Sequence, residues 1–437
     1  MNIFIYNTLY KRKKKFIFNI KKKINIYICG PTVYNKIHIG NLRTFIFFDI
    51  LRRYLMYNGY KVNYITNITD IGHITNNKDK ILNSSYKKKK KPMEIITKYI
   101  YNYHFNLYKL NLLPPNMEIL ASNNIYEQLK IINKLIKLKY TLIKNDSIYL
   151  NIYKYIKKYK YGILKKINKK KIKNFCIWKK YKQNILNYKS KWGKGYPGWH
   201  TECVSIINKY LGKKIHIHGG GIDLKFPHHE NEIVHFNILY NNNPSYFWIH
   251  VNSLLLNNKK MSKKNNNFIC IEDLIKIKNM NINYENIKFF LLYNNYRKIF
   301  NCNINKIKEA IYTYKKIKNL YFILKNNIIL YNIKINIIKW IKKCFFYLNN
   351  DFNIIKLIKN FLYIRKKIIN LNYKINKYNF LIIKYYYKVF INKILGLIIY
   401  KKKEKKILNI LNNIYIYNKK KKRWYISDKI RKLLNFI

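Results

Sequence analysis

Acidic residues are scarce in this chain. It has 18 Asp and Glu against 89 Lys and Arg in 437 residues, a formal net charge of +71. Such an excess is typical of proteins that bind nucleic acid or anionic membranes. The commonest residues, Lys, Asn, Ile, Tyr and Phe, also have A/T-rich codons, so mutational drift would leave the same excess as a solvated surface. The charge therefore permits an RNA partner, and both interpretations remain open.

Paired cysteines and long apolar runs are missing. The six cysteines form no CxxC pair and no regular framework, which predicts reduced thiols in a cytoplasmic protein, one or two of them available to bind a metal. No charge-free run approaches the ~18 apolar residues that a membrane span requires. Even segment 379–400 is interrupted by Lys384, Lys388 and Lys393. We therefore expect a soluble protein with no membrane partner.

Two nucleotide-binding motifs are absent, GxGxxG and GxxxxGK[ST], so neither a dinucleotide enzyme nor a P-loop NTPase is indicated.

The hydrophobic content of 49% is enough to bury real cores, and the length fits roughly two to four domains. Twelve of the 13 glycines precede residue 222, and all 7 prolines and all 10 histidines precede residue 251. The first 250 residues therefore hold the chemistry. Beyond about 285, apolar positions recur at helical spacing, as in 304–324, which predicts a helical bundle.

The stretch from residue 24 to residue 70 predicts a βαβ unit. INIYIC (24–29) has the composition of a short buried strand, NLRTFIFFDILRRYLMYN (41–58) carries a helical apolar stripe, and YKVNYITNITD (60–70) alternates as a second strand. This order requires a parallel sheet with a right-handed crossover. It places HIGN (38–41) at the start of the helix, where open α/β sheets bind ligands and where the helix dipole favours an anion. Gly40 would let a nucleotide approach the main chain.

A second unusual block contains GYPGWHTEC (195–203) and IHIHGGGIDLKFPHHENE (215–232). HHENEIVHFNILY has the pattern of a helix, so His228 and Glu232 share one face. Together with Cys29 and Cys203 they could form a zinc site with sulfur, nitrogen and oxygen ligands. A simple hydrogen bond between His228 and Glu232, with both cysteines serving only as packing, explains the same spacing.

A third block, NNKKMSKKNNNF (257–268), surrounds a Lys-Met-Ser-Lys core with Asn-rich sequence. This composition suits a mobile lid that brings ammonium groups to phosphates. In so lysine-rich a chain the block carries no weight by itself.

Together the three blocks resemble the class I aminoacyl-tRNA synthetases, and among them the cysteinyl-tRNA synthetases. HIGN (38–41) is similar to the family's HIGH signature with Asn last, and KMSKK (260–264) is similar to KMSKS with Lys last. YICGPTVYNKIHIGN, NITDIGH, PGWHTEC and GGGIDLKFPHHENE resemble the cysteine enzymes rather than those for methionine, valine or isoleucine. The resemblance extends from IYNTL (5–9) to SDKIRKLL (427–434). The family usually continues past the latter segment, which leaves open how the anticodon is read.

The resemblance implies a set of site residues. One zinc ion per chain would be held by Cys29, Cys203, His228 and Glu232, and would select the thiol of L-cysteine over the hydroxyl of serine. Thr69 and Trp199 would line the cysteine pocket. His38 and Lys263, assisted by Asn41 and Lys260, would act on ATP, which brings magnesium. The remaining ATP contacts implied are Gly40, Gly219, Gly220, Gly221, Asp223, Met261 and Ser262.

The resemblance also implies a reaction and a domain order. ATP would activate L-cysteine to cysteinyl-adenylate, and the aminoacyl group would pass to tRNA(Cys) on a monomeric enzyme. Residues 1–112 and 196–256 would form a Rossmann-like α/β catalytic domain and 113–195 an insertion. They would be followed by a KMSKS loop and stem-contact segment (257–300), a helical bundle (301–400) and a shortened anticodon-binding end (401–437). Two rivals share the same core: a ligase that joins cysteine to an amino-sugar pseudodisaccharide, and a non-catalytic RNA-binding relative.

Overall fold

The secondary structure alternates strands and helices in the first 300 residues and is helical thereafter. The structure, a computed structural model, describes residues 2–71, 74–75, 78–168, 170, 172–180, 187–261, 267–277, 280–326, 329–330, 336–371, 374–398, 424 and 428. The strands are β1 (Phe4–Asn7), β2 (Arg12–Lys15), β3 (Ile24–Ile28), β4 (Val62–Ile68), β5 (Ile74–Thr75), β6 (Lys78–Asp79), β7 (Met117–Leu120), β8 (Thr141–Lys144), β9 (Ser147–Leu150), β10 (Phe175–Lys180), β11 (Gly195–Pro197), β12 (Ile215–Gly221), β13 (Ser245–Val251), β14 (Leu254–Leu256), β15 (Lys259–Lys260), β16 (Phe300–Cys302), β17 (Ile329–Leu330) and β18 (Lys374–Ile375). The helices are α1 (Ile39–Tyr57), α2 (Lys80–Lys88), α3 (Pro92–Lys109), α4 (Ile125–Lys137), α5 (Ile152–Ile156), α6 (Trp199–Tyr210), α7 (His228–Tyr240), α8 (Ile271–Ile275), α9 (Tyr284–Leu292), α10 (Ile304–Asn326), α11 (Ile337–Asn349), α12 (Ile354–Asn370) and α13 (Lys377–Tyr387), and a π-helical turn follows at Lys388–Ile394.

A five-stranded parallel sheet forms the centre of the first half, with strand order β13-β12-β3-β4-β7. This confirms the predicted α/β fold class and the βαβ unit made by β3, α1 and β4. From β3 the chain continues to β4 on one side, while β12 enters the sheet on the other side. Crevices at the carboxyl ends of such diverging strands are where open α/β sheets bind ligands.

Helix α1 lies directly on this sheet and is buried along most of its length. Its Phe48 packs against Gly219 of β12, where an added Cβ would come within 2.2 Å of the Phe48 ring. Glycine is therefore needed at 219 because it lets the helix approach the strand. At the N-terminus of the helix, the His38 side chain accepts a hydrogen bond from the Asn41 N–H and caps the first turn.

The region predicted as an insertion, 113–195, forms an antiparallel sheet of order β11-β10-β9-β8. Strand β7 falls within the same range but pairs with β4 in the parallel sheet, so the separate sheet begins at β8. This sheet and α4 share a hydrophobic core with α6 and part of α7, which includes Ile132, Trp178 and Val204. The inserted region is therefore packed against the helices that carry the candidate site.

The second half is helical. Helices α10 to α13 pack on one another, and the π-helical turn after α13 packs on α1, so the bundle and the parallel-sheet region share one continuous core. The predicted anticodon-binding end, 401–437, lies outside the described residues apart from Trp424 and Asp428. Within the part of the chain that the structure describes, none of the helices has the length and apolar character needed to cross a membrane. The proposed domain boundaries stay predictions.

Arg43 of α1 joins the segment after β13 to the segment after α9. Its guanidinium is 2% exposed and donates to four carbonyl oxygens, those of Asn252 and Ser253 on one side and of Asn295 and Lys298 on the other, at 2.7–3.2 Å. Burial lowers the pKa of Arg43 to about 10, so the side chain stays charged at neutral pH. The carbonyls supply the compensation that a buried cation needs.

Replacing this residue should destabilise the protein strongly. Arg43→Met removes four part-buried hydrogen bonds, although the Ser253 and Asn295 carbonyls each keep a backbone N–H donor, and we expect a loss of about 3 kcal/mol in the free energy of unfolding. Urea unfolding followed by circular dichroism measures it, with Arg12→Met on the exposed face of β2 as the control. A change in Arg43→Met no larger than that of the control would contradict the structural role assigned to these four hydrogen bonds.

Candidate active site

A cavity of about 400 Å³ opens at the carboxyl edge of the parallel sheet, beyond the ends of the neighbouring strands β3 and β12. The loop after β3, the start of α1 and the segments after β12 and β13 line it. Eight residues predicted from the sequence reach this one cavity: Cys29, His38, Gly40, Asn41, Trp199, Gly221, Asp223 and Met261. Fold topology therefore brings together motifs that lie more than 200 positions apart.

Four donor atoms meet at the base of this cavity. Cys29 follows β3, Cys203 lies in α6, and His228 and Glu232 are one turn apart in α7. Their ligand atoms all lie within 4.8 Å of one another, and all four residues are buried. The Sγ atoms of Cys29 and Cys203 are 3.8 Å apart, and the Nε2 atom of His228 lies 3.4 Å from the Cys203 Sγ atom and 2.9 Å from Glu232 Oε1.

This donor set fits a zinc ion. Two sulfurs, one imidazole nitrogen and one carboxylate oxygen are ligands that zinc accepts, and a buried quartet of such groups is costly without a shared cation. The alternative that the sequence left open, a local His228–Glu232 hydrogen bond, is present as one edge of the cluster rather than as a separate feature. The two cysteines also do more than pack, because their sulfurs face each other and the other two donors.

The protonation of the cluster shows how its charge is balanced. Burial raises the pKa of Cys29 well above its usual value. For Cys203 burial acts in the same direction, but the hydrogen bond from Cys29 and the positive charge of His228 bring its pKa down to about 6. For His228 burial opposes the charge, yet the Cys203 thiolate and the Glu232 carboxylate raise its pKa to about 10. A bound metal would displace the protons of Cys29 and His228, because both must be deprotonated to act as ligands.

A second layer of histidines surrounds the four donors. His218 Nε2 lies 2.5 Å from Glu232 Oε2, and His200 Nδ1 lies 3.0 Å from His228 Nδ1. His229 Nε2 is 3.3 Å from the Cys29 Sγ atom, and its Nδ1 atom is 2.8 Å from His250 Nε2. Such partners fix the orientation of the ligating side chains. They also create a second overlapping quartet with suitable geometry, Cys29, His218, His229 and Glu232.

Trp199 and Thr69, the two residues predicted to contact cysteine, have different surroundings. The Trp199 ring stacks on the His228 ring, with centroids 4.2 Å apart, and forms part of the cavity wall. Thr69 is buried behind that wall, where its hydroxyl donates to the Glu202 carboxylate at 3.0 Å and its backbone N–H donates to the Pro31 carbonyl. In this structure Thr69 supports the loop that carries the cavity residues rather than lining the cavity itself.

The loop after β3 is pressed against β4, which explains its glycine. An added Cβ at Gly30 would lie 1.6 Å from the Asn67 carbonyl oxygen. The Asn67 side chain accepts the Gly30 N–H at 2.8 Å and donates to Glu202 at 2.5 Å. Gly30 thus lets the chain turn sharply enough for the residue before it, Cys29, to lie among the four donor residues.

Of the residues predicted to bind ATP, some line the cavity and others lie behind it. His38, Gly40, Asn41, Gly221 and Asp223 line the cavity, as does Met261, whose terminal methyl lies beside Gly40. Gly219 and Gly220 lie behind it, packed under Phe48 of α1 and against Leu224 and His229. Lys260 belongs to β15, but its side chain, together with Ser262 and Lys263, lies outside the described residues.

Sequence reasoning missed several residues that the fold places around the cavity. Tyr34, Thr44, Lys80, Tyr99 and Tyr103 line it. The sequence around Lys80 gives no signal, because lysine and tyrosine are common throughout this chain. The histidines 200, 218, 229 and 250 did have a signal, since all ten histidines cluster in the first 250 residues and these four fall within 51 positions.

The two overlapping quartets can be separated with cobalt. If Cys203 and His228 are ligands, the cobalt(II) protein has two thiolate ligands, and Cys203→Ser should remove about half of its sulfur-to-metal charge-transfer absorption. His228→Ala should weaken cobalt binding, and His229→Ala should leave the spectrum largely unchanged. The opposite pattern would assign the metal to the second quartet: Cys203→Ser would leave the cobalt absorption unchanged, and His229→Ala would weaken cobalt binding.

Comparisons with known proteins identify the family of this chain. Residues 16–312 match the family described as tRNA synthetases class I (C) catalytic domain. A cysteine–tRNA ligase of Azobacteroides pseudotrichonymphae is 39% identical over 333 residues, which cover 70% of this chain and 68% of the relative. A cysteine–tRNA ligase of Wigglesworthia glossinidia brevipalpis is 36% identical over 364 residues, covering 80% and 76%, and one from Porphyromonas gingivalis is 36% identical, covering 67% and 65%.

Solved structures show the same fold. Mycobacterium tuberculosis methionyl-tRNA synthetase in complex with methionyl-adenylate superposes with a TM-score of 0.64 at 9% identity, covering 89% of this chain and 94% of that one. At so low an identity the likeness concerns the fold alone. The family match, the extent of the alignments and the parallel-sheet fold together show that the chain belongs to the class I aminoacyl-tRNA synthetases, in the branch formed by the cysteine–tRNA ligases.

Proposed function

We propose that this protein activates L-cysteine with ATP and transfers it to tRNA(Cys), with a zinc ion at the base of the cavity selecting the thiol. The observation that carries this proposal is the buried quartet of Cys29, Cys203, His228 and Glu232 beneath a cavity that also contains the start of α1. A metal cluster at the bottom of a nucleotide-sized cavity is what an enzyme needs if it must recognise a thiol and then act on a phosphate.

Selection against serine is the chemical problem that the quartet addresses. Serine is nearly isosteric with cysteine, and a purely apolar pocket separates such analogues poorly. Zinc, when bound by these four residues, prefers a thiolate ligand to a neutral hydroxyl. The protein's own part is to hold the four donors rigidly and to keep water out, which their complete or nearly complete burial does. The Trp199 ring closes one side of the adjoining cavity as a flat plate.

Activation of the amino acid depends on charge placement more than on covalent help from the protein. The cysteine carboxylate attacks the α-phosphate of ATP and pyrophosphate leaves, so negative charge has to be stabilised where the phosphates lie. His38 caps α1 and borders the cavity, which places an imidazole and the backbone N–H groups of a 19-residue helix near that charge. Asn41 lies in the same turn, and Gly40 leaves room for the nucleotide.

The other end of ATP would lie toward the segment after β12. Asp223 borders the cavity there beside Gly221 and would accept a hydrogen bond from a ribose hydroxyl. Magnesium would arrive with the triphosphate. Lys260 and Lys263, assigned through the KMSKK sequence, would bring ammonium groups to the phosphates when the lid closes.

Transfer to tRNA is the second half of the proposal. The insertion would contact the acceptor end, and the basic helical region would hold the rest of the tRNA through its phosphates. We further propose that the protein acts as a monomer in the cytoplasm. The rival in which cysteine is joined to an amino-sugar pseudodisaccharide uses the same activation step, so only the second substrate separates the two.

Amino-acid-dependent exchange of pyrophosphate into ATP tests the activation step. Cysteine should drive exchange, and serine should be weaker by on the order of 10³-fold or more, because the site distinguishes a metal ligand from a hydroxyl. Removal of the metal with a chelator should abolish exchange, and re-addition of zinc should restore it. Metal-free protein that still activates cysteine selectively would overturn the zinc assignment.

Aminoacylation of tRNA(Cys) with the same preparation tests the transfer step and separates the rivals. Charging of this tRNA in preference to others at moderate salt supports the proposal. Exchange with cysteine but without charging of any tRNA would favour the pseudodisaccharide ligase. The absence of exchange, combined with retained tRNA binding, would favour a non-catalytic RNA-binding relative.

A further inference from the structure

Lys80 is a cation of the cavity that no motif accounts for. It is the first residue of α2, it is half-buried, and its side chain borders the same cavity as His38 and Asp223. Its Nζ atom lies 5.2 Å from the centre of the Tyr34 ring, another residue of the cavity wall. A lysine in this position is held toward the cavity instead of extending into solvent.

Hydrogen bonds and packing define the position of the start of α2. The buried Asp79 side chain accepts the N–H groups of Ile81 and Leu82 at 2.7 and 3.0 Å and caps α2. Ile81 and Leu82 are themselves buried. Helix α2 packs against α3, whose Tyr99 and Tyr103 also border the cavity. The first residue of the helix therefore has a defined position, which a binding residue requires.

The charges of the cavity are arranged across the sheet. Among the described residues that border it, the carboxylate is that of Asp223, which follows β12, whereas Lys36 precedes α1 and Lys80 directly follows β6. Strands β12 and β4 flank β3 on opposite sides, and α1 starts just after β3. The cavity therefore combines the α1 N-terminus, one carboxylate and two lysines that come from separate segments of the chain.

We propose that the Lys80 ammonium binds a phosphate group of a nucleotide substrate in this cavity, and this proposal rests on the function proposed above. The phosphate belongs either to ATP or to the 3′ end of tRNA, and both have the same chemistry at this position. Lys36 borders the same cavity but is exposed, so water screens it more than Lys80. Burial lowers the pKa of Lys80, and a phosphate beside it would raise that pKa again.

Binding of ATP with magnesium to cysteine-free protein is the first measurement, made by titration calorimetry. Lys80→Met keeps most of the side-chain volume and removes the charge, and we expect the dissociation constant to rise about tenfold or more. Lys80→Arg should recover part of the loss. Lys87→Met is the matched control, because Lys87 lies in the last turn of the same helix and is exposed; it should bind ATP like the wild type.

Single-turnover transfer to tRNA from preformed adenylate is the second measurement. If ATP binding is unchanged in Lys80→Met but transfer slows about tenfold or more, the phosphate is that of the tRNA end and the proposal stands. If both measurements match the control, or if only the KM for cysteine changes, the proposal is wrong. Lys80→Gln replaces Lys80→Met if the latter loses its thermal unfolding transition.

The two proposals fail in different ways. ATP binding is measured without cysteine, so a Lys80-dependent dissociation constant in a protein that shows no cysteine-driven exchange would retain the phosphate site and reject the cysteine activity. If Lys80→Met shows normal exchange, normal charging and an unchanged dissociation constant for ATP, the phosphate site is rejected and the cysteine activity is retained.

Discussion

The buried carboxylate of Glu232 is the constraint on which the rest of the site depends. It is completely buried, and its two oxygens meet His218 at 2.5 Å and His228 at 2.9 Å. Burial opposes its charge, but the two histidines hold the pKa of Glu232 well below its usual value, so it is an anion in the protein interior. Such a charge is tolerated only when positive groups surround it closely. That requirement holds together β12, which carries His218, and α7, which carries His228, and it leaves a concentration of donor atoms facing the two cysteines.

The placement of nucleotide chemistry follows from the same packing. Gly219 lets α1 lie directly on β12, and Gly30 lets the loop after β3 turn against β4. Both close approaches bring the start of α1 and the four donor atoms of Cys29, Cys203, His228 and Glu232 to the same cavity. The anion-binding end of a helix and the proposed metal site thus become neighbours, although each is built from different elements. An enzyme that joins a thiol amino acid to a nucleotide phosphate requires that adjacency.

Much of this could be predicted from the sequence, because all of the Pro and His residues and twelve of the 13 Gly residues lie within the first 250 positions of a chain dominated by Lys, Asn, Ile, Tyr and Phe. The βαβ unit, the family and the residues that meet at the cavity were accessible for that reason. The hydrogen bonds of Thr69 and the packing around Gly219 and Gly220 were not accessible, because a motif does not specify a residue's tertiary neighbours. Their assigned roles in binding cysteine and ATP stay predictions. The sequence could not identify Lys80 as a cavity residue, because it is one of many lysines and only the fold distinguishes it. The place of β7 in the parallel sheet was missed because a four-residue strand at a sheet edge has little periodicity to detect. Residues 262–266, which include Ser262 and Lys263, and most of 399–437 remain sequence predictions, because they lie outside the described residues.

The central claim is that Cys29, Cys203, His228 and Glu232 form a metal site that takes the thiol of the amino-acid substrate. Zinc-edge X-ray absorption of the purified protein tests it most directly, because it counts the sulfur atoms bound to the metal. The account predicts about two sulfurs in the free protein and one more when cysteine is added, with no change on addition of serine. A sulfur count that stays the same with cysteine, or a protein that holds no zinc, would contradict it.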